Sequence, residues 1–403
     1  MEVKGTVVLG PRDHRVLGGH PWVFDNEVQD ILGSPAPGDV VDVVAGGGGK
    51  QAGRPRFVGR GYINPNSKIL VRLMTRKKMQ PVDDELIAGR LRRAWDYRRR
   101  LGWGGPEDGC RVVFAEADFL PGLIVDKFGP VAVVQTLAYG LDRHKEFIFQ
   151  KVKEITGVSA VVERNDAPVR ELEGLPQTKG TVLGETGRYV RMVENGLSFT
   201  VDVLEGQKTG YFLDQKENRR ALRPYAAGAE VLDAFCYTGS FAVHAAAGGA
   251  RSVLALDASE DAVALARENA AANDLSSLCA FETGNAFDRL RELAKEGRSF
   301  DLVILDPPAF ARSRHALEGA IAGYKEINLR AMKLLRPGGF LVSCSCSQHV
   351  GEALFLETLA SAAADSRRTV RLLETRSQAH DHPTLIVAPE GRYLKFMVLR
   401  IDD

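Results

Sequence analysis

The chain has 403 residues, 44% of them hydrophobic and 26% charged, which is ordinary globular composition with length for two or three cored domains. No apolar run approaches the roughly 20 residues needed to cross a bilayer, and the opening MEVKGTVVLGPRDHRVLGGH lacks the apolar stretch of a signal peptide. A soluble cytoplasmic protein is therefore expected, with no membrane partner.

The net charge of +1 conceals an asymmetry: residues 1–50 carry four Lys/Arg against seven Asp/Glu, whereas residues 51–100 carry fourteen against four. Arg54, Arg56, Arg60, Arg72, Arg76, Lys77, Lys78, Arg90, Arg92, Arg93, Arg98, Arg99 and Arg100 form this basic belt. It is either a solvated face or a surface for a polyanion. The five cysteines, Cys110, Cys236, Cys279, Cys344 and Cys346, are odd in number and show no paired CxxC spacing. That argues against a disulfide framework or a structural zinc site.

Residues 1–75 read as short strands, GTVVL, HPWVF, DVVDVV, RFVGRGYI and ILVRLM, broken by turn signals at Pro35-Ala36-Pro37-Gly38 and Gly46 to Gly49. Such spacing predicts a small β-barrel. Trp22, beside Pro21, is either a core residue, the more frequent fate of such a Trp, or an aromatic for stacking on RNA. Over 83–102 the period changes to that of a helix, with Leu86, Ile87, Leu91, Ala94, Trp95 and Leu101 on its apolar side. Acids open it, and Arg98 to Arg100 with Gly102 close it, in keeping with its dipole. From Val112 to about Glu185, strands RVVFAEAD, GLIVDKF, VAVVQTLA and AVVERND and one helix, HKEFIFQKVKEI, predict an α+β middle domain, taken as 76–185.

A hairpin at about 188–204, turning at Asn195-Gly196, leads into the last domain, 186–403. There, strands at Glu230–Ala234, Ser252–Leu256, 301–305, 339–343 and 393–400 alternate with helices at Gly239–Ala247 and Ser259–Asn273, the latter capped by Ser259. This alternation predicts a mostly parallel, doubly wound α/β sheet.

Ligands of such sheets sit at the carboxyl ends of the strands. After the first strand comes Asp233-Ala234-Phe235-Cys236-Tyr237-Thr238-Gly239, where glycine lets a ligand approach the backbone. The second strand ends in Asp257, eighteen residues after Gly239, where an acid can accept both hydroxyls of a ribose. A nicotinamide cofactor would fit these features too, but no GxGxxG is present. The layout resembles class I S-adenosylmethionine-dependent methyltransferases. That resemblance implies cofactor contacts from Asp233, Phe235, Tyr237, Thr238 and Gly239, from Asp257 to the ribose, and from Asn285 to adenine, where the family usually has Asp. An Asn carbonyl can still accept from the adenine amino group.

The apolar run at 302–305 ends in Asp306-Pro307-Pro308, and the next strand ends in Cys344-Ser345-Cys346. The first resembles the (Asp/Asn)-Pro-Pro motif that holds a planar amine or base beside the methyl donor. A cysteine nearby adds another chemistry: carbon 5 of a pyrimidine becomes nucleophilic only after a thiolate adds at carbon 6. Cys346 lies further past the strand end than Cys344, although both could be small core residues.

Over its whole length the chain resembles bacterial large-subunit ribosomal RNA cytosine-C5 methyltransferases that carry an amino-terminal PUA domain. The shared motifs are HPWVF, GQKTGYFLDQKENR (206–219), DAFCYTGSFAVHAA, LDPPAF, GYKEIN (323–328), SCS (345–347) and DHPTLIVAPEGRYLK (381–395). The resemblance implies a PUA barrel, an α+β middle domain and a Rossmann-like catalytic domain, with ribosomal RNA as partner and a homodimer left open. It makes Cys346 the nucleophile, Asp306 the group that binds the cytosine edge, and Gln207, Lys208, Thr209 and Phe212 to Gln215 a lid, with Gln215 the main cofactor contact. Pro307 would line the cofactor; Pro308, Phe310, Lys208 and Arg98 to Arg100 would meet RNA. Many relatives place a second cysteine after the Asp-Pro-Pro-type motif, but Ala309 stands there here, so the base that removes the carbon 5 proton is unassigned. His380-Asp381-His382 is read as structural, and no metal is expected. Two other readings stay open: a guanine or amino-group methyltransferase, and a non-catalytic RNA-binding ribosome-assembly factor.

Overall fold

The computed structural model describes residues 2–46, 55–311 and 314–403; Arg54 and the glycines at 47–49 lie outside the described residues. The chain divides into two compact units, one of residues 1–192, 201–213 and 380–391, the other of residues 193–200, 214–379 and 392–403.

In the first unit, strands β1 (Gly5–Leu9), β2 (Trp22–Val23), β3 (Val28–Gly33), β4 (Val40–Ala45), β5 (Arg56–Ile63) and β6 (Val71–Thr75) form one sheet in the order β2-β6-β5-β4-β1-β3. The opposite edges β2 and β3 are consecutive in the chain, Val23 to Val28. That link reaches at most about 18 Å, less than the roughly 24 Å of a flat six-stranded sheet. The sheet therefore curls into the barrel the sequence suggests, filled by Val7, Val23, Val41, Val43, Ile63 and Val71. Trp22 is half-buried, and its indole Nε1 donates to Glu116 Oε1 at 2.8 Å. It is a packing residue. Sequence patterning missed β3, whose alternation is broken by Gln29 and Asp30.

A second sheet in the same unit has the order β11-β10-β9-β8-β7, from β7 (Gly109–Phe114), β8 (Leu123–Phe128), β9 (Val131–Thr136), β10 (Ala160–Asn165) and β11 (Thr178–Leu183). The helix Asp84–Arg100 packs on it through Leu86, Ile87, Leu91 and Ala94, capped by Asp83, whose carboxylate accepts from Leu86 N at 3.0 Å.

One expectation for that helix fails. Arg98 is fully buried, paired to Asp118 at 2.5 and 2.8 Å, and it donates to the carbonyls of Arg111 (2.8 Å) and Asp381 (2.6 Å). It cannot reach RNA, because its guanidinium is spent on the protein's own oxygens. The same holds for Arg90, buried against the carbonyls of Met74 and Phe119. Arg60 and Arg72 are largely enclosed, paired to Asp42 and to Glu173 respectively. What remains exposed includes Arg56, Lys77, Lys78, Arg92, Arg93, Arg99 and Arg100. Arg99 also donates to the Gly104 carbonyl at 3.0 Å.

The hairpin of β12 (Tyr189–Glu194) and β13 (Leu197–Asp202) turns at Asn195 and Gly196, with φ of 53° and 81°. Two successive positive φ values mark the type I′ turn that Asn-Gly favours.

The second unit is built on a seven-stranded sheet in the order β16-β15-β14-β17-β18-β20-β19. Its strands are β14 (Glu230–Asp233), β15 (Ser252–Asp257), β16 (Cys279–Thr283), β17 (Phe300–Leu305), β18 (Leu335–Ser345), β19 (Val370–Arg376) and β20 (Lys395–Ile401). The first five pair in parallel, while β20 runs antiparallel between β18 and β19. The chain order reverses between β14 and β17, so the carboxyl ends of those two strands flank the switch point where open α/β sheets bind ligands. Buried Leu232, Val303, Leu305, Leu341 and Phe355 hold the sheet to its helices. Among the described residues no helix is long and apolar enough to cross a membrane.

Candidate functional site

β14 delivers Asp233 to the switch point as a fully buried carboxyl. Among the described residues neither oxygen meets a partner at hydrogen-bond geometry, although the amides of Phe235 and Ala242 point toward it. Burial pushes its pKa up to about 8, helped by the neighbouring carboxylates Asp306 and, more weakly, Asp257. A buried acid with unmet acceptors beside other carboxylates is a place for a cationic ligand.

Beyond it the chain turns through Tyr237 and Gly239, with φ of 47° and 78°. A Cβ on Gly239 would stand 2.9 Å from Ala266 Cβ, so glycine is needed both for the conformation and for the close approach. Asp257, at the end of β15, holds this turn: its Oδ2 accepts from Tyr237 N at 2.9 Å and its Oδ1 from Ser259 N at 3.0 Å. Carboxylate oxygens have lone pairs to spare for ribose hydroxyls. Thr238 is buried, its carbonyl accepting from Asn269 Nδ2 at 2.9 Å, and Phe235 is half-buried.

Asn285 changes its expected polarity. Its side-chain oxygen caps the helix Ala286–Lys295 by accepting from Phe287 N at 2.9 Å and Asp288 N at 3.4 Å. That carbonyl is occupied, so an adenine contact from Asn285 falls to its Nδ2 donor instead.

At the end of β17, Asp306 is half-buried and accepts from Gln215 Nε2 at 3.1 Å. Gln215 is itself buried and accepts from Asn218 Nδ2 at 2.7 Å, which fixes its amide. Pro307 is buried and Pro308 exposed. Phe310 is a packing residue, its ring 4.6 Å from Tyr324 and 5.9 Å from Phe287. The proposed lid divides: Gln215 belongs to the second unit, whereas Lys208 and Thr209 belong to the first. There Thr209 donates to the buried carboxylate of Asp126 at 2.6 Å, and the Lys208 ammonium lies 4.4 Å from the centre of the Phe212 ring.

β18 places the two cysteines differently. Cys344 is fully buried, and burial raises its thiol well above the ordinary range. Cys346, just beyond the last strand residue, is half-exposed, and its thiol faces the Pro307 carbonyl at 3.9 Å. Ala309, Ala311, Cys346, Gln348, His349 and Tyr393 line a concavity of about 360 Å³, within the roughly 300–1,000 Å³ of small-molecule sites.

Two residues of this region carried no assigned role in the sequence. Tyr324, fully buried, sets its hydroxyl 3.1 Å from Ser345 Oγ and 3.0 Å from Ser347 Oγ, gripping the chain on both sides of Cys346. Lys395, opposite Ser345 in the antiparallel register, donates to the Ser347 carbonyl at 2.7 Å. Both lie in motifs of the family resemblance, GYKEIN and the terminal DHPTLIVAPEGRYLK, but only the strand pairing and helix packing bring them to Cys346. His382 sits in the first unit, with Nδ1 2.8 Å from Asp381 Oδ1 and its ring 5.2 Å from that of Phe114.

Residues 177–388 match the S-adenosylmethionine-dependent methyltransferase family, and residues 8–76 match the PUA-like domain. The chain belongs to that methyltransferase family. Similar proteins include the ribosomal RNA large subunit methyltransferase I of Tolumonas auensis, 38% identical over 96% of this chain and 97% of the relative. That of Shewanella denitrificans is 40% identical over 97% of both. Among solved structures, a chain from Streptococcus mutans described as a SAM-dependent methyltransferase superposes with a TM-score of 0.82 over 98% of this chain and 99% of that one, at 19% identity. Another methyltransferase structure, a complex with SAH, gives 0.84 over 99% and 100%, also at 19% identity.

The methyltransferase thus takes S-adenosylmethionine as its methyl donor, and the residues at the switch point fit it. The cofactor carries cationic groups, for which the buried Asp233 carboxyl is suited, and a ribose, for which Asp257, holding the turn at Tyr237, is placed.

Proposed function

We propose that this methyltransferase modifies carbon 5 of a cytosine in large-subunit ribosomal RNA, in the cytoplasm. The observation that carries this reading is the half-exposed Cys346 facing Pro307 of the Asp-Pro-Pro motif, at the carboxyl ends of adjacent parallel strands. The names of the curated relatives support ribosomal RNA as the substrate class, and the PUA-like match supports an RNA-binding module.

The cofactor supplies an electrophilic methyl group. In the proposed sequence Asp306, oriented by Gln215, accepts from the amino edge of the cytosine and fixes the ring. The Cys346 thiolate adds to carbon 6, which places the electron pair at carbon 5 for attack on the methyl. Loss of the carbon 5 proton to a base then restores the double bond between carbons 5 and 6 and expels the thiolate. Tyr324 and the serines it grips hold Cys346 in place for both steps. Amino-group methylation needs no such thiol.

Trapping tests this directly. RNA carrying 5-fluorocytosine has no proton to lose at carbon 5, so the protein should form a complex that survives denaturation and contains Cys346 in the linked peptide. A linkage elsewhere, or none despite methyl transfer to ordinary RNA, would remove the covalent route.

The basic belt gives a paired expectation. Arg98→Ala should lower stability by about 3–5 kcal/mol, because it leaves Asp118 buried without its partner. Replacing exposed Arg92 and Arg93 by Glu should leave the melting temperature unchanged and weaken RNA binding, with a shallower dependence on salt. Thermal melts and binding isotherms at several salt concentrations check both; an unchanged isotherm at low salt would reduce the belt to a solvated face.

A further inference from the structure

Lys395 opens β20 and pairs with Ser345 across the antiparallel ladder. Its side chain is buried, 6% exposed. Two of the three ammonium hydrogens go to main-chain carbonyls, Ser347 at 2.7 Å and Tyr393 at 2.7 Å. Ser347 follows Cys346, and Tyr393 lines the same concavity as Cys346. The third hydrogen has no hydrogen-bond partner among the described residues.

Holding two carbonyls does not require a charge; a neutral amide would do it without the cost of burying an ammonium. Burial does act on the ammonium, lowering its pKa to about 8, while the Cys346 thiolate and, more weakly, the Glu352 carboxylate favour the charged form. The groups around Lys395 and Cys346 are buried Cys344 on β18, Asp306 at the end of β17, the Tyr324 hydroxyl, His349 in the concavity wall, and Glu352 at the start of the helix Glu352–Ser366. Glu352 is itself paired to Arg392 at 2.9 Å. Lys395 is thus a cation buried beside Cys346.

We propose that Lys395 is a positioning residue for Cys346: its ammonium fixes the 345–347 segment through the Ser347 carbonyl and stabilises the Cys346 thiolate electrostatically. This rests on the reading of Cys346 as the nucleophile. While Lys395 is charged, an opposite charge at short range favours the ionised thiol. The lysine therefore primes the attack on carbon 6 and receives the thiolate when it is expelled.

The test is the pH profile of Cys346 alkylation by iodoacetamide in the full chain, read by peptide mass spectrometry. Lys395→Gln keeps a donor for the carbonyls and removes the charge; its midpoint should rise by about one pH unit, with alkylation near neutrality slowed about tenfold. Lys395→Arg restores the charge and should return the midpoint toward that of the parent. A folded Lys395→Gln protein with the parental midpoint would overturn the proposal, as would an Arg variant shifted as far as the Gln variant. Should Lys395→Gln not fold, competitive labelling of Lys395 reads the coupling from the other side. In Cys346→Ala the lysine should titrate lower than in the parent, and an unchanged titration would overturn the proposal. A Cys346→Ala protein that still methylates would refute the nucleophile instead, a result independent of the alkylation midpoint.

Discussion

Cys346→Ala will reduce methyl transfer by about 10⁴-fold or more while leaving S-adenosylmethionine binding intact. The size of the effect follows from the reaction. Carbon 5 of cytosine has no electron pair to offer until carbon 6 has been attacked, so without a thiolate there is no slower version of the same route. Retained binding follows from the geometry. Asp233, Asp257 and Gln215 come from β14, β15 and the segment before the helix Lys216–Ala226, and the hydrogen bonds that set Asp257 and Gln215 run to Tyr237, Ser259, Asp306 and Asn218. The fold should also survive, because Cys346 is half-exposed beyond the strand, and its neighbours are held by Tyr324 through serine side chains and by Lys395 through a main-chain carbonyl. Methyl incorporation into ribosomal RNA and calorimetric titration with the cofactor measure the two halves. Full activity with normal affinity would point to amino-group methylation, for which Asp306-Pro307-Pro308 suffices.

The parallel strands were legible in the sequence because an apolar β-branched run that stops abruptly at polar residues suits a strand buried on both faces and little else. Asp233, Asp257 and Asp306 were found by that logic, as strand-end residues. Residues whose role depends on what lies across the sheet were not. Lys395 reads as part of a last strand; only its pairing with Ser345 brings its ammonium to the Ser347 carbonyl, one residue past Cys346. Tyr324 lies within a helix, and only the packing of that helix on the sheet brings its hydroxyl between Ser345 and Ser347. Arg98 failed for the related reason that a run of arginines at a helix end suits both the helix dipole and a polyanion, and one-dimensional charge counting cannot tell which arginine turns inward to Asp118. The cap at Asn285 was legible in principle, since Asn before a helical run is a common N-cap. Its expected contact with adenine masked that simpler use.

Asp233→Asn will make the cofactor-free protein more stable and its cofactor binding weaker, and both effects will depend on pH. In the native protein Asp233 keeps its proton up to about pH 8, whereas an ordinary aspartate loses it near 3.8. Between those values the unfolded chain binds fewer protons than the native chain, so this residue's contribution to stability falls as pH rises through that window. Asparagine does not ionise and escapes the penalty. The gain in melting temperature should therefore be small near pH 4, grow toward pH 8 and level off above it. It should reach on the order of a few kcal/mol. Binding runs the other way: a cationic ligand beside Asp233 lowers its pKa, so the wild-type protein should release a proton on binding near neutrality and bind more tightly as pH rises toward 8. Asparagine can neither release that proton nor supply the charge, so affinity should fall roughly 10- to 100-fold and lose its dependence on pH. Calorimetry in two buffers of different ionisation enthalpy counts the proton, and melts from pH 5 to 9 trace the stability difference. If the two stability curves ran parallel across that range, Asp233 would be ionised in the free protein, and the cation would meet a carboxylate already charged.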